Sequence, residues 1–239
     1  MKWVFHRRTN SIQQFRGFYS LFSAHAQCRR AKYSCQRLDI TLLLPTHNAA
    51  CKAYHTHPMR KTPEVLDAKI IARTRFFRVE QRDLRFTNGT EVCYERLVGS
   101  SGGAVLIIPM LDDDTVLMIR EYAAGVHRYE LALPKGKIEK NEAILDAANR
   151  EIMEEVGYGA RKLEHVTSLT IAPGYQSHCT HVVLAQDLFE RRCEGDEPEE
   201  IEVVPWPLSR LNELLAQEEC TEARSIAALF IAREHLAQQ

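Results

Sequence analysis

The sequence predicts a mixed α/β layered domain whose first strands form an antiparallel hairpin. Three observations carry that prediction. Two β-rich runs, KIIARTRFFRVEQRDLRF (69–86) and EVCYERL (91–97), flank Thr87-Asn88-Gly89-Thr90. An Asn-Gly between such runs is a strong hairpin signal. Further apolar runs then lie on both sides of one acidic, helix-patterned stretch at 142–156. Helical patterning returns only near the C-terminus, so strands surround a central helix and helices close the chain.

The elements follow in order. AVLIIPM (104–110) reads as a buried strand, Asp112-Asp113-Asp114 as a turn, and TVLMIREY (115–122) as the returning strand. HRYELAL (127–133) is the next strand. After the acidic helix come VTSLTIA (166–172), HCTHVVLAQDL (178–188) and IEVVPW (201–206), all strand-like. Residues 207–216 and 221–237 are predicted helical. In the second, Leu229, Ile231, Ala232 and Leu236 combine helical spacing with a broad apolar face.

Composition agrees with a globular fold: 45% of the 239 residues are hydrophobic and 26% charged. No run approaches the roughly 20 apolar residues of a membrane span. The net charge of -1 hides an asymmetry. Residues 1–58 hold nine Lys/Arg and one acid, whereas 59–239 hold 22 basic and 31 acidic residues. The seven cysteines form no CxxC pair and read as reduced thiols of a cytoplasmic protein. The basic segment 1–58 lacks apolar periodicity. A transit peptide or a nucleic-acid-binding arm would have such a composition. His47, Cys51, His55 and His57 lack the paired-cysteine spacing of a zinc site. The segment is read instead as disordered or not natively translated, with Met59 as the natural start. Peptides from before residue 59 in the native protein would reject that reading. Three divisions result: 1–58, a β-sheet region at 59–98, and a main domain at 99–239.

The acidic helix is the informative element. It carries Glu142, Asp146, Glu151, Glu154 and Glu155 against one base, Arg150. A solvated helix interleaves opposite charges at i,i+4, yet Glu151 and Glu155 set like charges four apart. At 100 degrees per residue, Glu151, Glu154 and Glu155 share a face. Leu145, Ala148, Ile152 and Val156 form an adjoining apolar face. Clustered carboxylates repel unless protonated or bound to a cation. Hard divalent cations take such oxygens together with substrate phosphates. Glu-rich surface helices are common, so spacing must decide. The stretch reads Gly136-x5-Glu142-x7-Arg150-Glu151-Ile152-x-Glu154-Glu155-x-Gly157-Tyr158.

That pattern resembles the Nudix box, and the chain is identified as resembling a Nudix hydrolase. The resemblance implies an α/β/α sandwich around a mixed β-sheet and a Mg²⁺- or Mn²⁺-dependent attack of water on a nucleotide pyrophosphate. It implies Glu151, Glu154 and Glu155 as metal ligands, with the carbonyl of Lys135 as a further one. Glu142 and Arg150 would support the site. Arg120-Glu121-Tyr122, Tyr129-Glu130-Leu131 and Ala172-Pro173-Gly174 extend the resemblance to the ADP-ribose pyrophosphatase branch, over about 65–233. They bring Arg120, Glu130 and Pro173 in as substrate-binding candidates. The branch often places an acid on a later loop to activate water, and Glu197 is taken from Glu194–Glu200. Before the box this chain reads ELALPKG, longer than the usual Glu-Leu-Pro-Ala-Gly, with Lys135 in the alanine position. That departure favours ADP-ribose, NADH and diadenosine polyphosphates together, with AMP released. Phe77, Tyr94 and Tyr122 are adenine-stacking candidates, although strand aromatics usually face a core. His178 and His181 are read as structural or surface residues. The branch also implies a homodimer joined through the N-terminal sheet, a small-molecule nucleotide as partner, and neither membrane nor nucleic acid. RNA 5′-pyrophosphohydrolysis, nucleotide cleaning and a non-catalytic nucleotide-binding regulator are the competing functions.

Overall fold

The computed structural model describes residues 60–238 apart from Ser101 and Asp196. The expectations about 1–58 and a start at Met59 lie outside the described residues.

The first three strands, β1 (Glu64–Arg73), β2 (Arg78–Arg85) and β3 (Glu91–Leu97), form an antiparallel sheet in that order. The turn between β2 and β3 is the expected one. Phe86 N–H donates to Thr90 O at 2.9 Å, and Thr90 N–H donates to Asn88 Oδ1 at 3.0 Å. The remaining strands are β4 (Ala104–Pro109), β5 (Thr115–Ala123), β6 (Arg128–Ala132), β7 (Lys135–Lys137), β8 (Tyr158–Leu169), β9 (Thr180–Glu190) and β10 (Glu202–Pro207). They pair as β10-β5-β6 and as β7-β4-β9-β8. β4 and β9 run parallel; their neighbours are antiparallel, so the sheet is mixed. The helices are α1 (Ile144–Glu155), α2 (Leu211–Leu214) and α3 (Ala223–Leu236).

Strand alternation builds a core on each face. Leu106, Ile108, Met118 and Leu184 pack with Leu211, Leu214, Ala228 and Leu229 of α2 and α3. Their sequence neighbours Val105, Ile107, Leu117 and Val183 pack with Ala147, Ala148 and Ile152 of α1. The α/β/α sandwich is therefore present. Burying a side chain such as Ile152 completely contributes about 1.5–3 kcal/mol, which seats α1 firmly.

Several elements differ from expectation. α1 starts at Ile144 rather than 142, because the Glu142 carboxylate accepts from Glu139 N–H at 2.8 Å in the preceding turn. Leu145 is 37% exposed; Ala147 takes the core position instead. β8 begins at Tyr158, eight residues before the predicted strand, and ends at Leu169. Its first half is half-buried or exposed beyond Ala160, so apolar patterning did not mark it. The short β7 was unforeseen. The helix expected over 207–216 is a 3₁₀ turn at Leu208–Arg210 followed by α2. Phe77, Tyr94 and Tyr122 do not face a core: they are 58%, 43% and 44% exposed.

Candidate active site

Ile152 and Ala148 are fully buried, and they carry Glu151 and Glu155 inward beside them. Those two carboxylates end only 8% and 3% exposed. Just past the helix, Gly157 adopts φ +83° and returns its N–H to Ile152 O at 3.0 Å. Glycine adopts this left-handed helix stop without a Cβ penalty.

Arg150 gathers the acids. Its Nε donates to Glu142 Oε1 at 2.9 Å, and its Nη1 donates to Glu151 Oε1 at 2.8 Å and Glu154 Oε2 at 3.0 Å. Nη2 donates to the Lys137 carbonyl at 3.0 Å, tying α1 to β7. The guanidinium holds the Glu142 carboxyl below its usual range. β7 crosses the acidic face closely. Lys135 N–H donates to Glu155 Oε2 at 2.9 Å. A Cβ on Gly136 would stand 1.9 Å from Glu151 Cδ, so only glycine lets β7 pass there.

The electrostatics are unbalanced. Burial pushes the Glu155 carboxyl up to about 8, against the opposing pull of Lys135. Burial also raises Glu151; Arg150 opposes it, while Glu154 and Glu197 add to it. One backbone N–H and one shared guanidinium do not compensate these acids, and that is where a cation would act.

The loop after β9 reaches the same place. A Cβ on Gly195 would lie 2.2 Å from Glu197 Oε2 and 3.7 Å from Glu154 Cβ. Glu197 and Glu154 therefore border one space. They line a cleft of about 330 Å³ with Arg192, Glu199 and Glu200. Glu199 is already engaged, since Tyr129 Oη donates to its Oε1 at 2.6 Å.

The three substrate candidates stand elsewhere. Arg120 donates to Glu219 at 3.0 and 2.7 Å, and its Nη1 lies 2.5 Å from Glu202 Oε1. Glu130 is 7% exposed and accepts from Thr221 Oγ1 and Arg128 Nε at 2.9 and 2.6 Å. Pro173 lines a separate, more apolar pocket of about 480 Å³ with Tyr94, Arg96 and Tyr175. Glu121 was missed. It pairs with Lys135 across 2.7 Å.

Comparison with known proteins points to a family. The NUDIX domain profile matches residues 101–230, and the profile of the NudE-type Nudix hydrolase N-terminal domain matches 63–96. The chain belongs to the Nudix hydrolase family. It is 45% identical over 177 residues to ADP compounds hydrolase NudE of Escherichia coli, covering 74% of this chain and 95% of that one. It is 30% identical over 171 residues to ADP-ribose pyrophosphatase of Bacillus subtilis, covering 69% and 91%. A crystal structure of an ADP compounds hydrolase superposes with a TM-score of 0.71 at 44% identity, covering 75% of this chain and 97% of that one. The protein is thus a pyrophosphohydrolase of this family, whose members need divalent cations.

The residues fit such a cation. The donors are all oxygen, which suits a hard ion. Glu151 and Glu155 are buried and undercompensated, and Gly136 lets the backbone pass close to them. Among the described residues no group of three acids, histidines or cysteines is already spaced around an ion. Arg150 stands between Glu142, Glu151 and Glu154.

Proposed function

We propose that this Nudix hydrolase cleaves the pyrophosphate bond of ADP-linked compounds, namely ADP-ribose, NADH and diadenosine polyphosphates, and releases AMP. The observation that carries the reading is the buried, undercompensated pair Glu151 and Glu155 on α1, in a chain 45% identical to an ADP compounds hydrolase. Glu151, Glu154, Glu155 and the Lys135 carbonyl would hold Mg²⁺ or Mn²⁺. The cation supplies charge neutralisation on the phosphates and lowers the pKa of water. Arg150 orients Glu151 and Glu154, and Glu142 holds Arg150 in place. Glu197 borders Glu154 and is the group we assign to accept a proton from the attacking water. Pro173 shapes the apolar pocket for the distal part of the substrate. Arg120 and Glu130 brace the 219–222 turn, so contact with substrate requires their present pairs to open.

The reading includes a homodimer. Val65, Leu66, Ile70 and Ile71 of β1 are 39–49% exposed, and a second copy would cover that sheet. Light scattering at twice the monomer mass supports this; a monomer refutes it. A cytoplasmic location is also inferred, supported by the free thiols of Cys93, Cys179, Cys193 and Cys220. No helix among the described residues is long and apolar enough to cross a membrane.

The test is a substrate panel. The full chain is incubated with Mg²⁺ and ADP-ribose, NADH, diadenosine triphosphate, a nucleoside triphosphate or triphosphorylated RNA, and products are separated by chromatography. AMP from the ADP-linked compounds is the expected result. Turnover of the triphosphate or the RNA alone would replace the assignment with nucleotide cleaning or RNA 5′-pyrophosphohydrolysis.

A further inference from the structure

Lys135 sits beside the carboxylates that a divalent cation would take. Its own N–H bonds Glu155 Oε2, and the next residue passes against Glu151. An ammonium on a flexible four-carbon stem can fold back onto such carboxylates and compete with a cation for them. The structure directs it away. Lys135 Nζ donates to Glu121 Oε2 at 2.7 Å, with both side chains only partly exposed. The acid opposite Glu121 on β6, Glu130, is engaged by Arg128 and Thr221 instead. A partly exposed ion pair of this kind adds little to the stability of a fold. Its significance is therefore where it parks the charge.

We propose that Glu121 is a positioning residue of the cation site, holding the Lys135 ammonium off Glu155 and so keeping the carboxylate face open to a divalent ion. The proposal rests on Glu151, Glu154 and Glu155 being the cation ligands. Glu121 does not touch the ion; it acts through Lys135.

The test measures Mn²⁺ binding directly, from the electron paramagnetic resonance signal of free Mn²⁺ in titrations of the full chain. Wild type is compared with Glu121→Gln, Lys135→Ala, the double variant and Glu154→Gln, and thermal melting confirms that each is folded. Glu121→Gln is expected to weaken Mn²⁺ binding about tenfold, the size of effect seen for groups that orient metal ligands. Lys135→Ala is expected to bind at least as tightly as wild type, because no ammonium is left to compete. The double variant is expected to recover most of the loss, which a merely structural role for Glu121 would not produce. Unchanged binding in Glu121→Gln overturns the proposal, and so does a double variant as weak as the single one. If wild type and Glu154→Gln bind Mn²⁺ equally, the ligand assignment itself fails, and that outcome is distinct from the other two.

Discussion

Glu155 and Glu222 are two carboxylates withdrawn from water, and the protein treats them in opposite ways. Glu222 caps α3. It accepts from Ser225 N–H at 2.8 Å, Ser225 Oγ at 2.8 Å and Arg224 Nε at 2.7 Å. Burial opposes its charge, but Arg224 and Ser225 outweigh burial and hold the carboxyl below its usual range. Glu155 receives one backbone N–H and sits near other acids, and its carboxyl is pushed up to about 8. The difference separates two uses of one side chain. Where the charge serves the fold, the chain supplies its partners; on the proposed assignment of Glu155 as a cation ligand, the chain withholds them for an ion.

The largest effect that sharpens this contrast is catalytic. Glu154→Gln keeps the shape of a ligand and removes its charge. Activity with Mg²⁺ should fall by about 100-fold or more, since losing a ligand exceeds losing a group that merely orients one. Steady-state kinetics with ADP-ribose checks this, with circular dichroism to show an unchanged fold. Gly136→Ala comes next. The new Cβ would collide with the Glu151 carboxyl, and overpacking of this kind costs about 1–3 kcal/mol. Cation affinity and activity should both drop, and a fully active Gly136→Ala would show that β7 need not approach Glu151.

Smaller effects fall on the structural side. Glu222→Ala removes the cap of α3 and should cost about 1–2 kcal/mol in denaturant unfolding. Its pH dependence has a definite sign. The folded carboxyl titrates below its unfolded value of 4.5, so its stabilisation is complete above that pH. The stabilisation is lost as pH falls through the lower folded value. Thermal melting from pH 6 to 3 should therefore show a steeper acid loss in wild type than in Glu222→Gln. Equal slopes would mean that Glu222 is not held charged by the fold. Glu155→Gln, measured without divalent ions, is the counterpart. It removes an undercompensated buried charge and should raise stability by ~1 kcal/mol while reducing activity.

Sequence made one of these regions visible and hid the other. Arg150, Glu151, Glu154 and Glu155 lie on one helix, whose geometry brings them together, and Arg150 draws in Glu142 from the preceding turn. The layered α/β class was legible from strand-like runs on both sides of one helix-patterned stretch, whereas the alternation that sends Val105 and Leu106 to opposite cores emerged only in the structure. The pairing of Glu121 with Lys135 joins β5 of one sheet to β7 of the other, which no local pattern encodes. The capping of α3 by Glu222 was hidden because Ser, Thr, Asp and Asn are the usual capping residues. Arg120 was legible as a charged strand end, but its partners Glu202 and Glu219 are distant in sequence. β8 was cut short because its polar first half pairs with β9 through main-chain bonds that side-chain patterning does not report.

One measurement bears most directly on the central claim, that the undercompensated face of α1 is the cation-dependent centre. Melting temperatures of the full chain are recorded with and without Mn²⁺ for wild type, Glu154→Gln and Glu222→Gln. An ion that binds only the folded state adds about 2.7 kcal/mol when present at 100 times its Kd. The expected result is a clear Mn²⁺-induced rise in wild type and in Glu222→Gln, and little or none in Glu154→Gln. An equal rise in Glu154→Gln would contradict the claim and place the cation elsewhere.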